Sequence, residues 1–446
     1  MKGPRRWLLG LDHLLRIRHD QLGFYHELAR KHGDAVPLRL GPYRSWVLFH
    51  PDQVQQVLLT EADAFVRFEP VMRVLAQWNG ASLLIAEGEA WKRQRRKVLP
   101  AFQPARFPGY AAQVVARSLA LRARWQAQAD GGDLLLDMDA AMVELTLELA
   151  CKSLFDTELG DVADIGRAVA LLSDIAFAEA LQPLRLPDWL PTKQKRAKAW
   201  AIAVMERTVR QVIEARRAEG CPDHGDLLSM LLAHYQDQGE AGDRQVRDEA
   251  MTLLIAGHET SSAALSWICH LLAEHPAACT ALQAELDLQL GERPPTFEDL
   301  RRLPYLEAVV KEALRLYPPA YSLFLRRAVR PVRLGELQIR QGELVQIVPW
   351  VIQRDPRWFE APDSFRPQRF LDPEQRWPKQ AYLPFGSGPR VCVGQSFGMM
   401  EMLLVTAVLL QRLTPHSTGT PIVPQAKFSL RPAGGLPLRW RCRGTL

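Results

Sequence analysis

The stretch PFGSGPRVCVGQ, residues 384–395, decides how the rest of the chain is read. One cysteine, Cys392, sits in a loop punctuated by Gly386, Gly388 and Gly394, and the apolar helical run SFGMMEMLLVTAVLLQRL follows at once, at 396–413. Glycine lets the backbone fold tightly round the sulfur where a side chain would clash. A helix start brings partial positive charge and free N–H groups, which favour a thiolate over a thiol. A thiolate in a loop too tight to reach a second cysteine is suited to holding a single metal. Arg390, two residues earlier, offers a fixed cation to an anionic group beside it. The ordinary alternative is a buried free cysteine before a core helix.

The totals narrow the field. The six cysteines, at 151, 221, 269, 279, 392 and 442, form no Cys-x-x-Cys pair. Neither a zinc site nor a disulfide framework is indicated, and the usage fits a reducing compartment. With 446 residues, 47% hydrophobic and 24% charged, the chain can bury a large core. A net charge of +6 is too mild to be a nucleic-acid signature. The start, MKGPRRWLLGLDHLL, puts basic residues before a short apolar run, but Asp12 and His13 interrupt that run. No signal peptide, membrane span or membrane contact through residues 7–9 is expected; residues 1–20 are read as a packed N-terminal segment of a cytoplasmic protein.

Three further stretches carry chemistry. In EAWKRQRRKVLPAF (89–102), Trp91 and Arg95 are four apart and share a helical face, within the densest basic run of the chain. DEAMTLLIAGHETSSAALSWICHLLAEHP (248–276) reads as one long buried helix ended by Pro276. Its middle is wrong for a purely structural element: Ala256-Gly257 weakens it, and Glu259, Thr260, Ser261 and Ser262 stand where Leu or Ala would pack better. Small residues let another body approach the backbone, and a hydroxyl beside a carboxyl can relay protons. In LPYLEAVVKEALRLYPP (303–319), Glu312 and Arg315 are three apart and can pair.

The remainder reads as helices at 22–32 and 193–219, strands at 36–40 and 45–49, a short helix at 51–59 and amphipathic helices over 110–182. Residues 65–88 read as an irregular loop with a helical turn. The segment 181–191 is a proline-broken apolar link, 220–226 is a second linker, and 428–440 reads as a hairpin. The class is mainly α within α+β.

Phe385, Gly388, Arg390, Cys392 and Gly394 fill all five fixed places of a known loop pattern. The chain thereby resembles the cytochrome P450 family over roughly residues 20–440. The resemblance implies one domain over 1–446, helices around a haem with smaller sheets, and haem b with Cys392 as the axial metal ligand. It assigns cofactor contacts to Arg390, Phe385, Gly386 and Gly394, and propionate contacts to Trp91, Arg95 and Arg326, with Arg327 as the alternative register. Ala256–Thr260 matches the family pattern Ala/Gly-Gly-x-Asp/Glu-Thr. It assigns Thr260 to stabilising dioxygen and Glu259 to proton delivery, and leaves His258 without a ligand role. Glu312, Arg315 and Arg369 match a structural triad; 181–191 matches the pocket roof; Ala256, Ala320, Leu323 and Phe428 are candidate pocket residues.

The implied activity is insertion of one oxygen atom from O2 into a lipophilic molecule such as a fatty acid, terpenoid or steroid, by hydroxylation or epoxidation. Electrons would come from a ferredoxin and its reductase, or from a flavodoxin or diflavin reductase, to a monomer. The rival readings are a peroxide-driven peroxygenase and a non-catalytic haem sensor or electron carrier.

Overall fold

The structure is a computed structural model that describes residues 4, 10–157, 162–180, 192–374 and 376–444. Helices α1 (Leu11–His19) and α2 (Gln21–His32) lead into paired strands Ala35–Leu40 and Tyr43–Leu48. A short helix, α3 (Pro51–Gln55), continues as a π turn to Thr60. Next come α4 (Glu69–Asn79), α5 (Gly88–Val98), α6 (Phe107–Ala129), α7 (Met138–Phe155), α8 (Val162–Ala180), α9 (Lys193–Ala218) and α10 (Leu227–Tyr235). They are followed by α11 (Gly239–Glu274), α12 (Pro276–Leu290), α13 (Pro304–Leu316), the single turn α14 (Pro349–Ile352), and α15 (Gln395–Arg412), which leaves the cysteine loop directly. Among the described residues no helix is long and apolar enough to cross a membrane.

Local chemistry sets the helix ends. Side chains of Asp137, Thr192 and Asp226 accept from backbone N–H groups at the starts of α7, α9 and α10. The carboxylate of Glu285 accepts from Tyr305 N and Leu306 N at 2.8 and 2.9 Å, so one helix caps the start of α13 from outside. Helix α11 supplies two apolar clusters. Leu265, Ile268 and Leu272 pack with Val309, Leu404 and Val408 of α13 and α15. Met251 and Leu254 pack with Leu154, Leu172 and Met205 of α7, α8 and α9. It therefore forms a wall between two halves of the core.

Among the described residues the strands form four small sheets. The largest orders its strands Ala35–Leu40, Tyr43–Leu48, Leu344–Ile347, Arg326–Ala328 and Phe65–Arg67, and it sets Arg67 directly opposite Arg326. Several expectations are corrected here. Residues 65–88 hold a strand and the eleven-residue α4, opened by Pro70 and burying Met72, Leu75 and Trp78. Asp133–Asp137 is a strand, because it pairs with Pro437–Cys442 some 300 residues away, a contact that local pattern does not carry. Residues 428–440 are not one hairpin: Leu430–Pro432 pairs back with Pro424–Ala426, while Pro437–Cys442 joins another sheet. Helix α11 begins nine residues earlier than 248 and runs unbroken through Gly257, and Pro276 opens α12 as well as ending α11. The expected roof 181–191 and residues 7–9 lie outside the described residues.

Two buried carboxylates brace the framework. Glu312 accepts from Arg315 Nε and Nη2 at 2.8 and 2.9 Å, from Arg369 Nε at 2.9 Å and from the Arg366 N–H at 2.9 Å. Arg315 also donates to the Gln353 carbonyl at 2.8 Å, and the Gln353 side chain accepts from Leu383 N at 2.7 Å, one residue before the cysteine loop. Glu249 on α11 accepts from Leu83 N with both oxygens, at 3.1 and 3.0 Å, tying α11 to the segment before α5.

Removing the Glu312 charge strands two buried guanidinium groups, so Glu312→Gln is expected to cost about 3–5 kcal/mol in urea unfolding of the haem-loaded protein; a loss near zero would contradict the bracing role. Burial pushes Glu249 up to about 7. A carboxyl raised in the folded state contributes least once it ionises, so its contribution falls as pH rises from about 4.5 to about 7. Measured against Glu249→Gln, wild-type stability should drop by about 3 kcal/mol across that window, and parallel stability–pH curves would refute this.

Candidate active site

The cysteine loop is shaped by contact with the π turn. Gly388 has φ +76°, and a Cβ there would lie 1.8 Å from the carbonyl oxygen of Leu58. Gly386 is also left-handed at φ +72°. Gly394, in contrast, has an ordinary backbone, and a Cβ would meet only Phe102 at 3.7 Å and Cys392 Sγ at 4.0 Å. The Cys392 N–H donates to the Phe385 carbonyl at 3.0 Å, closing the turn under the sulfur.

Cys392 opens onto a cavity of about 970 Å³. The thiol is exposed to that cavity, and desolvation by the protein around it pushes its pKa up, against the Gly394 N–H and the Arg95 charge, which pull it down. The sequence reading expected the loop to favour the thiolate; the protein alone does the opposite, because desolvation outweighs one N–H and one nearby cation. A coordinated metal ion would supply the missing positive charge. Among the described residues, no cluster of His, Cys, Asp and Glu could hold a bare metal ion.

Across the cavity stands α11. Ala256, Gly257 and Thr260 are its openings; every other residue from Glu249 to Cys269 is buried. Thr260 Oγ1 donates to the Ala256 carbonyl at 2.9 Å. The Glu259 carboxyl is buried, accepting from Ser173 Oγ of α8 and from Ser429 Oγ at 3.0 Å. Burial raises its pKa, and the charge of Arg431 opposes that shift. His258 points elsewhere: it is buried against Thr146 Oγ1 at 3.0 Å, and burial lowers it to about 3. Glu401 of α15, pushed up to about 8 by burial, accepts from Ser261 Oγ at 2.6 Å at the cavity edge.

At the opposite edge cations gather. Arg390 pairs with Glu87, donates to the Ala86 carbonyl at 2.9 Å and lies over the Trp91 ring at 4.3 Å. Arg95 donates to the Val391 carbonyl at 3.0 Å, also over Trp91, at 5.7 Å. Arg326 is half-buried, lines the cavity and leaves a buried Nε without a partner, whereas Arg327 turns out to Glu69 at 3.0 Å. Arg67, which no motif marks, stands half-buried opposite it and donates to the Leu84 carbonyl. Burial, with the charges of Arg390 and Arg326, lowers Arg67 to about 9. Like charges facing each other across a sheet repel. Three cavity guanidinium groups against Glu87 therefore fit an anionic group, and a planar dianionic porphyrin above a thiolate meets both demands. Arg67, Arg326, Arg390, Phe385, Gly386, Cys392 and Gly394 line the cavity, as do Ala256, Ala320, Leu323 and Phe428; Trp91 and Arg95 stand behind the loop.

The comparisons with known proteins agree with this geometry. The family model described as Cytochrome P450 matches residues 1–436. The chain is 36% identical over 425 residues to the cyclooctatin synthase of Streptomyces melanosporofaciens, covering 94% of this chain and 91% of that one. It is 34% identical over 410 residues to the cyclooctat-9-en-7-ol 5-monooxygenase of the same organism, covering 90% and 86%. It is 30% identical over 410 residues to the pentalenene oxygenase of Streptomyces avermitilis, covering 90% and 88%. With a cysteine loop, a polar break in a buried helix and a family match over nearly its whole length, the chain belongs to the cytochrome P450 family and is a haem-thiolate monooxygenase of a lipophilic substrate.

Proposed function

We propose that the chain hydroxylates or epoxidises a cyclic terpenoid, using haem b and electrons from a ferredoxin and its reductase. The observation that carries this reading is the Cys392 thiol opening onto a large cavity that faces Glu259 and Thr260. The choice of terpenoid draws on relatives named for cyclooctatin, cyclooctat-9-en-7-ol and pentalenene. The small and apolar wall at Ala256, Ala320, Leu323 and Phe428 suits such a substrate.

Cys392 would hold the iron. Trp91, Arg95 and Arg326 would meet the propionates, joined by Arg390 and Arg67 of the same cationic edge. When bound, the haem supplies the activation of dioxygen, aided by electron density from the thiolate. The chain's own residues do the rest. Glu259 would carry the proton, on a carboxyl whose pKa burial raises against the charge of Arg431. Thr260 places a hydroxyl on the cavity face of α11, one residue along. The apolar walls exclude water and orient the substrate. The exposed residues Lys92, Arg93 and Arg96 of α5 offer an acidic redox protein a basic face. The protein would act as a cytoplasmic monomer of one domain.

Turnover under isotopically heavy O2, with a ferredoxin and reductase, tests the reading. The product should carry one heavy oxygen atom, and peroxide alone should support little turnover. Thr260→Ala should lower product formed per NAD(P)H about tenfold, with the balance appearing as peroxide. Oxygen derived from water, or unchanged coupling in the variant, would contradict it.

A further inference from the structure

Helix α9 concentrates charge. It carries eight Lys or Arg against two Glu, an excess equal to the +6 of the whole chain. Its two faces differ. Ala201, Met205, Val209 and Ile213 are buried in the core beside α8, whose Leu172 and Ala176 also line the cavity. The opposite face is exposed. Lys193, Arg196, Trp200, Ala203, Arg207 and Arg210 follow one another at steps of three or four residues, so they form one strip about 25 Å long. Trp200, in its middle, is 41% exposed, and Arg167 of α8 lies over its ring at 6.0 Å.

Other cations of α9 are used inside the protein. Lys198 pairs with Glu179 at 2.8 Å and Arg216 with Asp226 at 2.7 Å, all four side chains being buried. Lys193, Arg196, Arg207 and Arg210, in contrast, have no ion pair or side-chain hydrogen bond among the described residues. Their placement works against the fold. Lys193 and Arg196 lie in the first turn, where the helix dipole repels cations, and Arg207 and Arg210, three apart, repel each other. An anionic surface laid against the strip relieves both repulsions. An acidic protein or a lipid layer could supply that charge, and two features favour lipid. Tryptophan settles at the boundary of a bilayer, where its ring is sheltered and its N–H meets headgroups. Long cations spread along a straight strip suit a flat layer of phosphates, and the lipophilic substrate of the enzyme partitions into that same phase.

We infer that the outer face of α9 is a docking surface for an anionic membrane, which the protein touches reversibly. The apolar face of α9 is committed to the core, so no helix inserts. Four unpaired cations and one indole ring supply the attraction, and the contact is peripheral and sensitive to salt. This surface is separate from the basic face of α5, and it serves whichever lipophilic molecule the enzyme oxidises.

The test sediments the haem-loaded full chain with equimolar phosphatidylglycerol–phosphatidylcholine vesicles and with vesicles of phosphatidylcholine alone. Binding to the anionic vesicles should be at least about tenfold tighter, and it should fall steeply between about 0.05 M and about 0.5 M salt. Arg196→Gln, Arg207→Gln and Arg210→Gln together should weaken it about a hundredfold, at about fivefold per charge. Lysine at the same three positions should preserve it, because a phosphate layer reads charge rather than a planar guanidinium fork. Brominated lipid should quench the fluorescence of the wild type more than that of Trp200→Phe. Lys92→Gln, Arg93→Gln and Arg96→Gln together, on α5, should leave vesicle binding within about twofold of wild type. Equal binding to both kinds of vesicle, full binding by the glutamine variant, quenching unchanged by Trp200→Phe or an equal loss in the α5 variant overturns the inference. Absence of vesicle binding at low salt, or its loss in the lysine variant, overturns it as well and leaves the strip to an acidic protein.

Discussion

The structure depends on a sulfur atom that the protein surrounds but does not satisfy. Cys392 is held by a loop whose glycines let it lie against the π turn at Leu58, and its thiol meets open cavity rather than a side-chain partner. Burial alone would keep that thiol protonated. The arrangement becomes favourable once a metal ion supplies the counter-charge, so the site is built for an occupant and is incomplete without one.

The same logic governs the cavity edge. Arg67 and Arg326 face each other across adjacent strands, and Arg390 adds a third guanidinium with Glu87 as its ionic partner. A protein gains nothing by burying mutually repelling cations for stability. It gains a binding site for an anion whose charge they share. Glu312 shows the opposite solution a short distance away in the chain, since there two arginines and one carboxylate are closed on one another. One cluster is internally paired and structural, and the other is held open for a ligand.

What the sequence reveals divides along similar lines. The cysteine loop, the Ala256–Thr260 break and the Trp91–Arg95 spacing are local patterns, and local patterns survive in one dimension. The helical period of α4 was present in Met72, Leu75 and Trp78, but eleven residues between a short strand and a glycine make a weak signal. The strand Asp133–Asp137 was hidden, because its partner lies near the other end of the chain. Arg67 was invisible for a different reason: it sits in a stretch that reads as unremarkable, and it matters only through the like charges that the fold sets beside it, Arg326 and Arg390. Arg326 and Arg327 could not be separated by sequence, yet alternation along a strand sends one inward and the other to Glu69.

The central proposal is that Cys392, as its thiolate, would hold the haem iron. The most direct measurement is the absorption spectrum of the reduced, carbon monoxide-treated protein, beside the same spectrum of Cys392→His. Thiolate coordination places the wild-type band at about 450 nm and moves that of the variant to about 420 nm. A wild-type band at about 420 nm in folded, haem-loaded protein would contradict the claim.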